Sequence, residues 1–193
     1  ILLNMVYDLS CLAIPWDNVD KEFIMEPRKW EAGSITKFML WLGPASSIFD
    51  IATYLLMYFY ICPLFTGGQL YTALAAPADK LLYIAVFQTG WFVESMWSQT
   101  MVIHMIRTPK LPFIDSIASK PMIALTLAGC LMVTLLPFTP LAGPLGLKPL
   151  PAAYFGFLLL IILGYMFTAT IVKKLYIRHY GELKKKKKID FPY

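Results

Sequence analysis

The sequence predicts an all-α membrane protein, a bundle of four full transmembrane helices plus the end of a fifth. Three observations carry this expectation. Hydrophobic residues make up 58% of the 193 positions and the mean hydropathy is +0.61, well outside the range of soluble domains. Four apolar stretches, 38–62, 81–106, 121–142 and 152–172, approach or exceed the roughly 20 residues that a helix needs to cross a bilayer. No alternating strand pattern occurs, and lipid offers unpaired backbone groups no partner, so helices are the spanning structure that remains.

The first apolar segment, 1–16, is too short to span and starts abruptly, without the basic flank or small-residue cleavage site of a signal peptide. It reads as the end of a helix whose beginning lies outside this sequence, closed by Pro15. The 38–62 span carries Pro44 in "LGPASS", where a helical hydrogen bond is lost and a bend is expected. The adjacent Gly43, Ala45, Ser46 and Ser47 let a neighbouring helix approach closely. The 81–106 span holds Gln88, Glu94, Ser98 and Gln99, which either hydrate a permeation path or bind neighbouring helices. Pro137 and Pro140 break the 121–142 span in "LLPFTPLAGPLG". The 152–172 span runs into basic sequence, and residues 182–193 form a lysine-rich tail. The run at 184–188 reads as a solvated end, and an appended, non-native tail has the same composition.

Lys and Arg set the orientation, since cytoplasmic loops keep an excess of them. The counts run four before the first full span, then one, three, one, and eight in the tail. This alternation places both the tail and the 17–37 loop in the cytoplasm. The net charge of +5 is thereby a topology signal with some contact to anionic lipid, and needs no nucleic-acid partner. Cys11, Cys62 and Cys130 lack any CxxC or Cys/His spacing and read as small buried side chains. Trp16, Trp30 and Tyr176 lie near span ends, where aromatic residues mark the interface. His104, three residues before Arg107, reads as an interfacial histidine in preference to a metal ligand.

Three acids fall within the spans: Asp8, Asp50 and Glu94. Each costs roughly 2.5–3.5 kcal/mol at mid-bilayer on insertion scales, so each needs a partner, a water-filled cavity or an ion. Asn4 and Asp8 lie one helical turn apart on one face, with Cys11 and Pro15 continuing the stripe. A bend near Pro15 would also free backbone carbonyls toward the same place, a device of transporters. Carboxylate, amide and carbonyl oxygens suit a hard cation such as Mg²⁺ or Ca²⁺. The competing reading is an interhelical hydrogen bond that only holds the bundle together.

The stretch "NMVYDLSCLAIPWDNVDKE" resembles the sixth transmembrane helix and following cytoplasmic loop of the P-type cation pumps. With "GPASSIFDI", "QTGWFVESMWSQTMVIHMIRTPKLPF" and "GYMFTATIVKKLYIRHYG", the chain resembles the bacterial magnesium-transporting P-type ATPases over residues 1–181. The resemblance implies that Asn4 and Asp8 form the ion-binding pair. It also implies that Asp17 and Asp20 belong to a loop, 17–34, that packs on a cytoplasmic phosphorylation domain and relays its movement. Glu94 corresponds to the eighth helix, where related calcium pumps place an acidic ligand, so Asn4, Asp8 and Glu94 are the candidate metal residues. Asp50 matches the pattern without a ligand role and is expected to form a structural hydrogen bond.

The Asp-Lys-Thr-Gly-Thr phosphorylation motif, the Thr-Gly-Glu actuator motif and any phosphate-cradling loop are absent from these residues. The expectation is a carboxy-terminal region that works with earlier helices and cytoplasmic domains of the same pump and has no ATPase activity alone. The implied function is ATP-driven Mg²⁺ uptake across the bacterial inner membrane, with ATP handled by domains outside this sequence. An ATP-independent carrier or channel, a merely structural membrane protein, and a P-type pump for Ca²⁺ or Mn²⁺ are the alternatives.

Overall fold

A computed structural model describes residues 2–18, 20, 32–108, 110 and 112–180. Most of the 17–34 loop and the whole 182–193 tail lie outside them. Five α-helices order the described chain: α1 (Leu2–Cys11), α2 (Ala32–Leu56), α3 (Pro77–Ile106), α4 (Lys120–Leu135) and α5 (Ala152–Tyr180). Among the described residues there is no strand, only an isolated bridge between Pro112 and Ser116.

Prolines punctuate these helices as their chemistry requires. α1 stops at Cys11, and Pro15 sits in a tight turn over Ile14–Trp16. At the end of α4, Pro137 and Pro140 fall in two successive 3₁₀ turns, Leu136–Phe138 and Pro140–Ala142. Pro44, by contrast, is carried inside α2 without ending it. Beside it the Ser46 and Ser47 hydroxyls donate to the Gly43 carbonyl at 2.9 and 3.3 Å. Beyond Leu56 the chain widens into a π-helical turn, Met57–Ile61, and then tightens over Cys62–Phe65. Pro63 explains this irregularity, because it has no N–H for the carbonyl one turn earlier and its ring crowds that carbonyl.

α3 is the central post and touches each of the other four helices, while α1 rests on α4 and α2 rests on α5. Gly129 of α4 allows α1 to come close: a Cβ there would stand 2.8 Å from Ser10 Oγ and 3.3 Å from Val6 Cγ1. Gly90 of α3 likewise leaves room for the Met57 side chain, and its carbonyl accepts a hydrogen bond from Tyr154 at 2.6 Å. Edge-to-face pairs Phe38–Tyr176 and Phe49–Tyr165 join α2 to α5. Large apolar side chains on the outside, such as Leu40, Ile48, Leu160, Leu163 and Phe167, remain exposed, which is the surface that lipid would cover.

The expectation of four full spans is met in part. Among the described residues, three segments are long and apolar enough to cross a membrane: Thr36–Phe65, Lys120–Phe138 and Ala152–His179. The 81–106 stretch lies within a helix of 30 residues, Pro77–Ile106, yet that helix falls short in apolarity. Its polar residues are the reason, and the fold shows why they are tolerated. Thr89, Glu94, Ser95, Thr100 and His104 are buried against neighbouring helices.

Candidate ion-binding site

Asn4 and Asp8 stand together on the face of α1 that turns away from the bundle. Val6, Ser10 and Ala13 form the packed side of this segment, whereas Asn4, Met5, Asp8, Leu9 and Leu12 line an open groove of about 480 Å³. The amide and the carboxyl therefore present oxygens to one place, with no side chain of α3 or α4 lining it. Pro15 lacks the N–H that would continue the helical ladder to the Cys11 carbonyl.

Glu94 lies elsewhere. It is 1% exposed, at the middle of α3, and neither carboxyl oxygen finds a hydrogen-bond partner among the described residues. It does not line the groove that holds Asn4 and Asp8. A second cavity, of about 310 Å³, is lined by Asp50, Tyr54, Ser95, Ser98, Gln99 and Tyr165, among others. Asp50 lines this cavity, and the structural hydrogen bond expected for it is not formed among the described residues. The fold thus brings Asn4 and Asp8 together in one groove, and Glu94 is not among the residues that line it.

Among the described residues no group of three or more His, Cys, Asp or Glu side chains is gathered as a metal cage. Asn4 and Asp8 offer two oxygen-bearing side chains on one outward helix face, fewer donors than the six or more oxygens a hard cation takes. His104 is no candidate: its Nε2 is 3.0 Å from Thr126 Oγ1 and its ring packs on Phe113, so it is a buried, bonded side chain.

In the sequence Arg107 and Lys173 figure only in the basic-residue count that sets topology, and the fold gives both specific partners. Asp17 and Asp20, in the segment after α1, are held by the foot of α3. Arg107 Nε donates to Asp17 Oδ2 at 2.6 Å, and the Ser119 amide donates to Asp17 Oδ1 at 2.8 Å. Asp20 accepts from Ser116 Oγ at 2.9 Å and from Thr108 Oγ1. Burial alone would raise both carboxyls, but these hydrogen bonds and the Arg107 charge hold Asp17 and Asp20 below the usual carboxylate range. On the opposite side, the buried Lys173 ammonium of α5 donates to the carbonyls of Met105, Thr108 and Lys110. Those carbonyls lie at the open end of α3, where helical partners run out.

The chain matches the family described as "Cation transporting ATPase, C-terminus" over residues 1–175. It is 42% identical over 184 residues to the magnesium-transporting ATPase, P-type 1, of Salmonella typhimurium, with 94% of this chain and 18% of that protein covered. It is also 42% identical over 181 residues to the protein of the same name from Escherichia coli, with the same coverage. The chain therefore spans about 18% of the length of these relatives.

Proposed function

This chain belongs to the cation-transporting ATPase C-terminal family, and we propose that it is the ion-carrying membrane region of an ATP-driven pump that moves Mg²⁺ into the cytoplasm. The observation that carries the proposal is the pairing of Asn4 and Asp8 on the outward face of α1, in a chain 42% identical to magnesium-transporting ATPases. Mg²⁺ sheds water reluctantly and keeps near-octahedral geometry. A half-site of one carboxylate and one amide, facing a groove wide enough for water, suits such an ion. Helices from the rest of the pump would cover this face and add donors.

Phosphorylation of an aspartate in another domain would drive alternating access. The 17–34 loop would pass that movement to α1 and change the side to which Asn4 and Asp8 open. In this reading α3 also crosses the membrane, as the fourth full span, because the other helices shield its polar groups from lipid and Glu94 is spared direct exposure. In this reading the membrane is the bacterial inner membrane and the carboxy terminus is cytoplasmic, which the excess of basic residues on that side supports. Its partners are the lipid bilayer and the remaining helices and phosphorylation domain of the same pump.

A chimera tests the proposal. The corresponding region of the Escherichia coli relative is replaced by this chain, and Mg²⁺ uptake is measured in cells that depend on it. Restored uptake supports the reading. A chimera that reaches the membrane and forms the phosphoenzyme yet moves no Mg²⁺ contradicts it.

A further inference from the structure

We propose that Arg107 is a positioning residue for transport: it clasps the segment after α1 to the foot of α3, so that the helix bearing Asn4 and Asp8 and the helix bearing Glu94 move as one body. The inference rests on the pump reading above and extends it to a residue that no site description includes.

The guanidinium uses all three of its nitrogens. Nε holds Asp17, Nη1 donates to Ser116 at its carbonyl (3.1 Å) and hydroxyl (3.2 Å), and Nη2 donates to the carbonyls of Asn18 (2.8 Å) and Ile117 (3.4 Å). Asp17 passes the connection on to Ser119, which is the N-cap of α4. Asp20 ties the same segment to Thr108 and Ser116. Lys173 then fixes the end of α3 to α5. One cluster therefore reaches α3, α4, α5 and the chain leaving α1.

Two observations separate this clasp from ordinary packing. The ion-paired side chains of Arg107 and Asp17 are only 8% and 10% exposed, and burying charge is costly where apolar contact would hold the fold equally well. A forked cation between a carboxylate and several carbonyls instead specifies one register of two elements. Phe113, in the turn that delivers Ser116, has φ 66°, a left-handed conformation that a bulky side chain rarely adopts. The backbone is bent there, with the Phe113 amide bonded to the Ser116 carbonyl that Arg107 also uses. Strain of this kind persists only where surrounding contacts enforce it.

The route is short and stiff. Asp8 leads through one tight turn to Asp17, Asp17 meets Arg107, and Arg107 continues without a break into α3 and Glu94. A push on the cytoplasmic loop that shifted α1 alone would have to break the clasp first.

The test compares the full-length pump with its Arg107→Lys and Asp17→Asn variants in liposomes, recording Mg²⁺ moved per ATP hydrolysed. Lysine keeps the charge but not the fork, so the ratio falls several-fold while phosphoenzyme formation continues. An unchanged ratio, or hydrolysis and transport declining together in step with thermal stability, overturns the proposal and leaves a structural staple. Amide hydrogen exchange on the full-length pump in detergent supplies a readout that needs no transport. The clasp requires slow exchange at the Ser119 amide that quickens in the Asp17→Ala variant, and fast exchange in the unaltered chain overturns the clasp itself. A reconstituted wild-type pump that moves no Mg²⁺ while Ser119 is protected refutes the pump reading, and with it the positioning role, but not the clasp.

Discussion

Arg107 Nε and Asp17 Oδ2 meet at 2.6 Å across 90 positions of sequence, and this contact ties the chain leaving α1 to the end of the central helix. Removing one partner of a buried pair strands the other charge, at a cost of about 3–5 kcal/mol when burial is complete. Arg107→Ala is expected to lose about 3 kcal/mol, toward the lower bound because both side chains keep some exposure. Adding Asp17→Ala should recover part of that loss. A double-mutant cycle by denaturant unfolding in detergent measures the coupling, and strictly additive losses would show that the pair does not interact.

The same cluster has a signed dependence on pH. Asp17 and Asp20 sit below their ordinary value in the folded state, so the unfolded chain binds more protons in the acid range and stability rises with pH there. Their contribution is fully present above the ordinary carboxylate value of about 3.9. It is lost as the pH falls further, through the folded values. The thermal midpoint of Arg107→Ala should therefore show a weaker acid dependence than that of the unaltered chain.

Gly129 marks the closest approach of α1 to α4. A methyl group there would stand 2.8 Å from Ser10 Oγ and 3.1 Å from Met96 Cε. Overpacking of this kind costs about 1–3 kcal/mol, and Gly129→Ala should lower the unfolding midpoint accordingly. Gly143, which has nothing within 4 Å of a Cβ, serves as the control, where alanine should be tolerated.

Glu94 offers a trade between stability and function. A buried polar group without a partner costs about 1–3 kcal/mol, and both Glu94 oxygens lack one among the described residues. Glu94→Met is expected to stabilise the chain by about that amount while reducing Mg²⁺ uptake by the complete pump. Stabilisation with unchanged uptake would remove Glu94 from the candidate metal residues.

The helices were legible in the sequence because lipid demands long apolar runs and proline ends them, as Pro15, Pro137 and Pro140 do. The π turn after Leu56 has its sequence signal in Pro63, which removes a helical donor one turn later. α3 has the length of a span but less apolarity than the other long helices, because its buried Thr89, Glu94 and Ser95 answer to neighbouring helices. The Asn4–Asp8 pairing could be read because helical spacing is local. The Arg107 clasp could not, because hydrogen bonds between residues 90 positions apart leave no periodicity.

The most direct measurement concerns Asp8. Asp8 is exposed on α1 and lines the outer groove, so Asp8→Asn should leave stability within about 0.5 kcal/mol of the unaltered chain. Loss of a charged ligand contact worth about 1.5–3 kcal/mol corresponds to roughly tenfold or greater loss of ion affinity. Mg²⁺ uptake by the full-length pump carrying Asp8→Asn is therefore predicted to require at least roughly tenfold more Mg²⁺. Uptake with unaltered concentration dependence would contradict the account, and would reduce the Asn4 and Asp8 pair to a contact between helices.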